Sequence, residues 1–180
     1  MELREAPCPV CGDRGHRRFD TVEAEPPAPI MPGAAAVLLT LVDYDTALWL
    51  DNVAARPSVI DYLKFHTGAP QTDSAAAADF ALVADAKSLL PLSTFKSGTE
   101  EYPDRSATLI VQVESLASDR GWALRGPGIE TAAALYAAPL PSDFLAQLRT
   151  NAAGYPCGVD IIFVAGNSIA ALPRSTRVEA

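Results

Sequence analysis

One short apolar run limits what this chain can fold into more than any other feature: residues 159–164, Val-Asp-Ile-Ile-Phe-Val. It is short for a buried helix, rich in β-branched residues, and does not alternate with polar residues after Asp160. It therefore reads as a strand covered on both faces. Gly166-Asn167 separates it from a second apolar run, residues 169–172. A Gly-Asn pair between two such runs signals a tight hairpin, because glycine accepts the positive φ that these turns need. The chain then enters Pro173-Arg174-Ser175-Thr176-Arg177, a cluster of hydroxyl and guanidinium groups. A buried sheet centre that ends in a polar, cationic lip is the first place to look for function.

The rest of the chain supplies the layers around such a strand. Pro32 suits a first helical position, and residues 34–42, apolar nearly all round, predict a buried helix. Asp43-Tyr44-Asp45 is a turn, and residues 46–50, with Trp49, a short strand. Pro57 opens a second helix with Val59, Leu63 and His66 on one stripe, stopped by Gly68 and Pro70. Residues 71–79 and 97–104 are connections, residues 80–83 a strand, and Asp85 caps a short helix interrupted at Pro91. The longest strand is expected over residues 108–116, with Leu109, Val111 and Val113 on one face and Ile110, Gln112 and Glu114 on the other. Asp119-Arg120-Gly121 predicts a turn into an antiparallel partner at residues 122–125, ended by Gly126-Pro127-Gly128. Ser142 is placed as the cap of a helix with Asp143 in its first turn and Phe144, Leu145 and Leu148 inward; Gly154 and Pro156 close it. Strands alternating with helices, plus two hairpins, give an α/β domain with a mixed sheet. Residues 1–27, polar and then proline-rich, bury little and are read as a poorly structured segment; residues 28–180 form a single α/β domain.

Composition narrows the function classes. The 180 residues carry 14 basic and 22 acidic side chains, a net charge of −8. That balance argues against general nucleic-acid binding and against attachment to anionic membranes. No run is long and apolar enough to span a bilayer, and the first residues lack the apolar core of a secretory signal. Cys8, Cys11 and Cys157 make an odd, sparse set, which fits a reducing cytoplasm better than a disulfide framework.

Several residues could carry chemistry, and each has a plainer reading. Cys8 and Cys11, with His16, resemble half of a tetrahedral zinc site. No second pair follows to complete it, so an untethered terminus is preferred and no metal is assigned. His66 lies at a helix end, where a cation suits the helix dipole; a structural role is the simpler one. Gly126-Pro127-Gly128 lacks the lysine of a phosphate-binding loop and suffices as a strand-ending turn. Glu100, Glu101, Asp104 and Arg105 read as a solvated loop cluster. Arg174, Ser175, Thr176 and Arg177 match the oxygens of a phosphate-like anion, but suit an interface equally well. There is no G-x-S-x-G elbow. Lys64, Lys87 and Lys96 are the only lysines, none in an obvious site for a pyridoxal Schiff base.

Read together, five segments resemble the H protein of the phosphonate (Phn) carbon–phosphorus lyase system. They are LLTLVDYDTALWL (38–50), KFHTGAP (64–70), LSTFKSGTEEYPDRSATLIVQVESL (92–116), LRGPGI (124–129) and YPCGVDIIFVAGNSIAALPRSTRVE (155–179). They run in register from about Ala28 to the end. Upstream of that point CPVCGDRGHRRF stands where the family has an amphipathic helix and an Arg-Pro-Gly turn, and Lys64 stands where an arginine is expected. The resemblance implies a three-layer α/β sandwich akin to pyridoxal-phosphate-dependent transferases, with the cofactor site lost and no cofactor bound. It also implies a cytoplasmic homodimer that joins the G, I and J proteins, in an assembly that forms a ribose 1-phosphonate 5-triphosphate from ATP and an alkylphosphonate. No catalytic residue is carried over. His66, Thr67, Arg105, Ser106, Asp160, Arg174, Ser175 and Thr176 are kept as candidate ligand or interface residues. An accessory subunit is the leading expectation; the rival is a self-contained phosphate or phosphonate transferase using His66, Asp160, Arg174 and Ser175.

Overall fold

The structure is a computed structural model that describes residues 25–179 and, as backbone only, two strands before them, β1 (Glu5–Ala6) and β2 (His16–Phe19). The strand read from residues 159–164 is β8 (Asp160–Ala165). It stands at the middle of a seven-stranded sheet of order β1-β2-β9-β8-β5-β4-β3. Its partners are β9 (Ser168–Leu172), antiparallel, and β5 (Thr108–Gln112), parallel. β4 (Phe80–Val83) and β3 (Leu48–Leu50) extend the parallel part, and β2 pairs antiparallel with β9. Gly166 turns the β8–β9 hairpin at φ +59°, the value that the first residue of a type II′ turn requires.

Both faces of β8 are covered, as its sequence demands. Ile162 and Val164 meet a layer formed by α1 (Pro32–Leu41) and α2 (Pro57–Thr67), through Ala34, Leu38, Val59 and Leu63. Ile161 and Phe163 face the opposite layer. That layer holds α3 (Phe144–Ala153) and a second, antiparallel sheet of order β10-β6-β7: β6 (Ser115–Arg125), β7 (Ala133–Ala138) and β10 (Arg177–Glu179). Phe163, at 0% exposure, packs edge-to-face on Phe144 with ring centroids 6.0 Å apart. Each such buried side chain contributes about 1.5–3 kcal/mol to folding. The helices start and stop where the sequence punctuates them: Pro32 and Pro57 open α1 and α2, and Gly68, at φ +71°, ends α2.

Three local expectations are corrected, and a fourth holds with a shorter helix. Residues 108–116 are not one strand: β5 ends at Gln112, and the chain crosses to the small sheet through Val113 N–H bonded to Val164 O and Glu114 N–H bonded to Ala138 O. Asp119-Arg120-Gly121 does not turn the chain back. β6 continues beyond it, and the three residues lie within a bulge, residues 118–121, opposite β7, the true partner. Gly121 sits there at φ +100°, and a Cβ on it would collide with the carbonyl of Leu135, so the glycine serves close strand approach rather than reversal. At α3 the capping position belongs to Asp143, not Ser142; the Asp143 carboxylate makes no cap bond and accepts instead from Gln147 Nε2 at 3.0 Å. The short helix after Asp85 is one tight turn, Ala86–Ser88, which Asp85 Oδ1 does cap through Lys87 N–H at 3.1 Å.

Candidate functional site

The polar lip after β9 lies at the end of the sheet where the parallel strands begin. Because β8 and β9 pair with Ile161 opposite Leu172, Asp160 falls opposite Pro173, and Arg174, the next residue, comes beside it. Hairpin register brings them into reach. Asp160 Oδ2 accepts from Arg174 Nη2 at 2.6 Å, and Oδ1 accepts from Arg174 Nε at 3.3 Å and from its backbone N–H at 2.8 Å. Arg174 Nη1 donates to the carbonyl of Pro103. The guanidinium thus locks the segment after β9, the start of β8 and the turn Pro103–Arg105 into one junction. Nε, Nη1 and Nη2 all have protein acceptors, so this arginine is committed to its own chain.

Next to that junction lies a second ion pair. Asp79, just before β4, accepts from Lys96 Nζ at 2.6 Å and from Ala47 N–H at 2.9 Å. Burial opposes its ionisation, but the lysine hydrogen bond, the Ala47 N–H and the lysine's charge more than offset this and hold the carboxyl below its usual value. Arg105 stacks over the Tyr102 ring at 4.3 Å, and Ser106 bridges backbone to backbone with Ser97. Ser175 is half-buried and Thr176 is buried.

His66 and Thr67 do not join this group. They end α2, on the helical layer beside β3, three strands from β8, roughly 14 Å at about 4.8 Å per strand. His66 is exposed, off the buried stripe of Val59 and Leu63, because the last turn projects past the core. Its ring lies against Tyr62 and Phe65 at 4.6 and 5.0 Å. The Thr67 hydroxyl donates to Leu63 O and accepts from Ala69 N–H, a helix-ending role. Cys8 and Cys11 lie outside the described residues, and of His16 only the backbone, in β2, is described. Among the described residues no cluster of three or more His, Cys, Asp or Glu side chains could hold a metal ion.

The opposite end of the sheet, where the parallel strands finish, is where open α/β folds place ligands. Here the chain's own residues occupy it. Gln112, at the end of β5 and 3% exposed, accepts from Met31 N–H at 2.6 Å and donates to Pro29 O at 3.0 Å. Gly33 N–H donates to Gly166 O at 2.9 Å, and Ile30 is buried. Beside them Asp51, 4% exposed, accepts from Ala54, Ala84 and Asp85 N–H at 2.7, 2.8 and 3.0 Å, tying the ends of β3 and β4. Neither Gln112 nor Asp51 was singled out as a site residue. A polar residue ending an otherwise apolar strand was the available signal for Gln112.

Comparison with known families places this architecture. A family model described as "Bacterial phosphonate metabolism protein (PhnH)" matches residues 17–179. The chain belongs to that family. The match begins upstream of Ala28 and takes in most of β2. The α-D-ribose 1-methylphosphonate 5-triphosphate synthase subunit PhnH of Rhizobium meliloti (strain 1021) is 38% identical over 156 residues, covering 87% of this chain and 78% of the relative. The putative C-P lyase subunit protein HtxG of Stutzerimonas stutzeri is 34% identical over 154 residues, 83% of this chain and 75% of the relative. No helix among the described residues is long and apolar enough to cross a membrane.

Proposed function

We propose that this chain is an accessory subunit of a carbon–phosphorus lyase assembly, supporting formation of a ribose 1-phosphonate 5-triphosphate from ATP and an alkylphosphonate. The observation that carries the reading is the family match over residues 17–179, with relatives named as a synthase subunit and a C-P lyase subunit. The geometry supports it. Asp160 and Arg174 neutralise each other, Asp79 and Lys96 do the same, and His66 stands apart from both pairs. A self-contained transferase would need acid, base and cation converging on open space; of the residues considered for it, Asp160 and Arg174 are spent on holding strands together and His66 lies apart from them.

In this reading the subunit is a cytoplasmic homodimer whose partners are the G, I and J proteins. Its three layers descend from a pyridoxal-phosphate-dependent transferase fold, with the residues around Gln112 and Met31 closing the former ligand end. Residues 28–180 supply the body of the folded unit. Co-expression of the tagged chain with G, I and J tests the reading. Stoichiometric co-elution in one complex, with no turnover of ATP and alkylphosphonate by the chain alone, is the expected outcome. A chain that elutes unassociated, or that turns over those substrates unaided and loses this with Arg174→Ala, refutes it.

A further inference from the structure

The small sheet does not close completely on the large one. Between β6, β7 and the end of β9 there remains a cleft of about 330 Å³. Its walls are mostly apolar, formed by Leu124, Pro127, Ile129, Leu135, Leu172 and Pro173, with Ser118 and Thr176 as the polar residues. One group in it stands out. Thr176 lines the cleft and is 7% exposed, and its hydroxyl makes no hydrogen bond among the described residues. Only its backbone N–H is paired, with Pro173 O at 2.9 Å. Buried hydroxyls are nearly always bonded, and an orphan in a cavity wall points to a partner that the protein itself does not supply.

We infer that this cleft binds a small neutral molecule with an apolar body and one hydrogen-bonding group, which pairs with Thr176 Oγ1. Among the described residues no charged side chain lines the cleft, and Arg174 beside it is committed to Asp160 and Pro103. Phosphonates and nucleotides are therefore the wrong chemistry for it, and the inference stands apart from the subunit role. The size is ample: an apolar cavity of roughly 150 Å³ already holds benzene, so a single substituted ring fits.

The test titrates p-cresol and toluene, a matched pair with and without a hydroxyl, into the full chain. Methyl NMR reads Leu124, Ile129, Leu135 and Leu172. Saturable shifts at those methyls are expected, with p-cresol about fivefold tighter than toluene, the worth of one added hydrogen bond. Thr176→Val keeps the shape and removes the hydroxyl. It should bring p-cresol down to the toluene affinity and raise the melting temperature of the free protein, since an unpaired group is lost. Ala133→Phe, from a partly buried wall position, should abolish binding of both. The inference is overturned by an absence of saturable shifts in the wild type, by a preference for p-cresol that survives Thr176→Val, by a fall in melting temperature in that variant, or by shifts unchanged in Ala133→Phe.

Discussion

Gly33→Ala separates two physical arguments that give opposite signs. Gly33 sits in the first turn of α1, where alanine is the better helix former by about 1 kcal/mol at an interior position and less near the start. If propensity governed, the variant would melt higher. The structure puts a carbonyl in the way. A Cβ at Gly33 would lie 2.7 Å from Gly166 O and 3.0 Å from Val164 Cγ1. The same carbonyl accepts the Gly33 N–H at 2.9 Å, so relief of the clash stretches that bond. Nor can the carbonyl yield easily, because Gly166 is fixed in the hairpin turn at φ +59° with its N–H against Met31 Sδ.

Overpacking costs about 1–3 kcal/mol and a weakened hydrogen bond about 0.5–1.5 kcal/mol. After the helix gain is subtracted, a net loss of about 1–3 kcal/mol remains. For a chain of this size that lowers the melting temperature by about 3–9 °C. Circular dichroism melts and urea titration measure it directly. Ala36→Gly, a half-buried position in the same helix, calibrates the propensity scale and should cost about 1 kcal/mol. A Gly33→Ala protein that melts at or above the wild-type temperature would show that α1 does not pack this closely on the β8–β9 turn. The reading of a closed strand end would fall with it.

Asp51→Asn replaces one of two accepting oxygens by an amide that faces N–H groups, since both oxygens accept. Urea unfolding should show a loss of about 2–3 kcal/mol; an unchanged midpoint would deny the carboxylate its strand-tying role. Arg174→Met and Asp160→Asn, combined in a double-mutant cycle, should show a coupling of about 1–2 kcal/mol in stability. Additive effects would mean that the pair is not formed in solution. Asp79, with its folded pKa depressed, contributes stability that is fully present above its unfolded value of about 3.9 and is lost as pH falls through the lower folded value. The stability gap between wild type and Asp79→Asn should therefore be widest above about pH 4 and narrow below it. A gap that widens on acidification contradicts the cited shift.

What the sequence disclosed and what it hid divide along the reach of the interactions. β8, its hairpin and the starts of α1 and α2 were legible because apolar runs and Gly or Pro punctuation act within a few residues. Asp119-Arg120-Gly121 misled because a glycine at positive φ serves a bulge as readily as a turn; only the close carbonyl of Leu135 decides between them. β7, Ala-Ala-Leu-Tyr-Ala-Ala, went unforeseen because it has one aromatic and no β-branched residue, and is a strand only because β6 lies beside it. The Asp160–Arg174 junction could have been found. Once the hairpin turn is placed at Gly166-Asn167, pairing outward leaves Asp160 beside the residue after Pro173. The ties of Gln112 and Asp51 could not, because their partners lie 81 residues away in one case and 33 and 34 in the other.

The two ends of the central sheet bear on function in the same direction. A sheet that works on a ligand leaves polar groups unpaired at one end, waiting for the substrate to complete them. Here the end where the parallel strands finish is completed by Pro29, Met31 and Gly33 from the chain itself, and the end where they begin is cross-linked by Arg174 and Lys96. Each completed contact removes a donor or acceptor that chemistry would need and adds rigidity in its place. What is left open among the described residues is the exterior, where Tyr44, Phe65 and Tyr155 stand exposed, and the cleft at Thr176. With both sheet ends tied by its own residues, the body presents these exposed aromatics and this cleft for contact, and binding experiments on them come first.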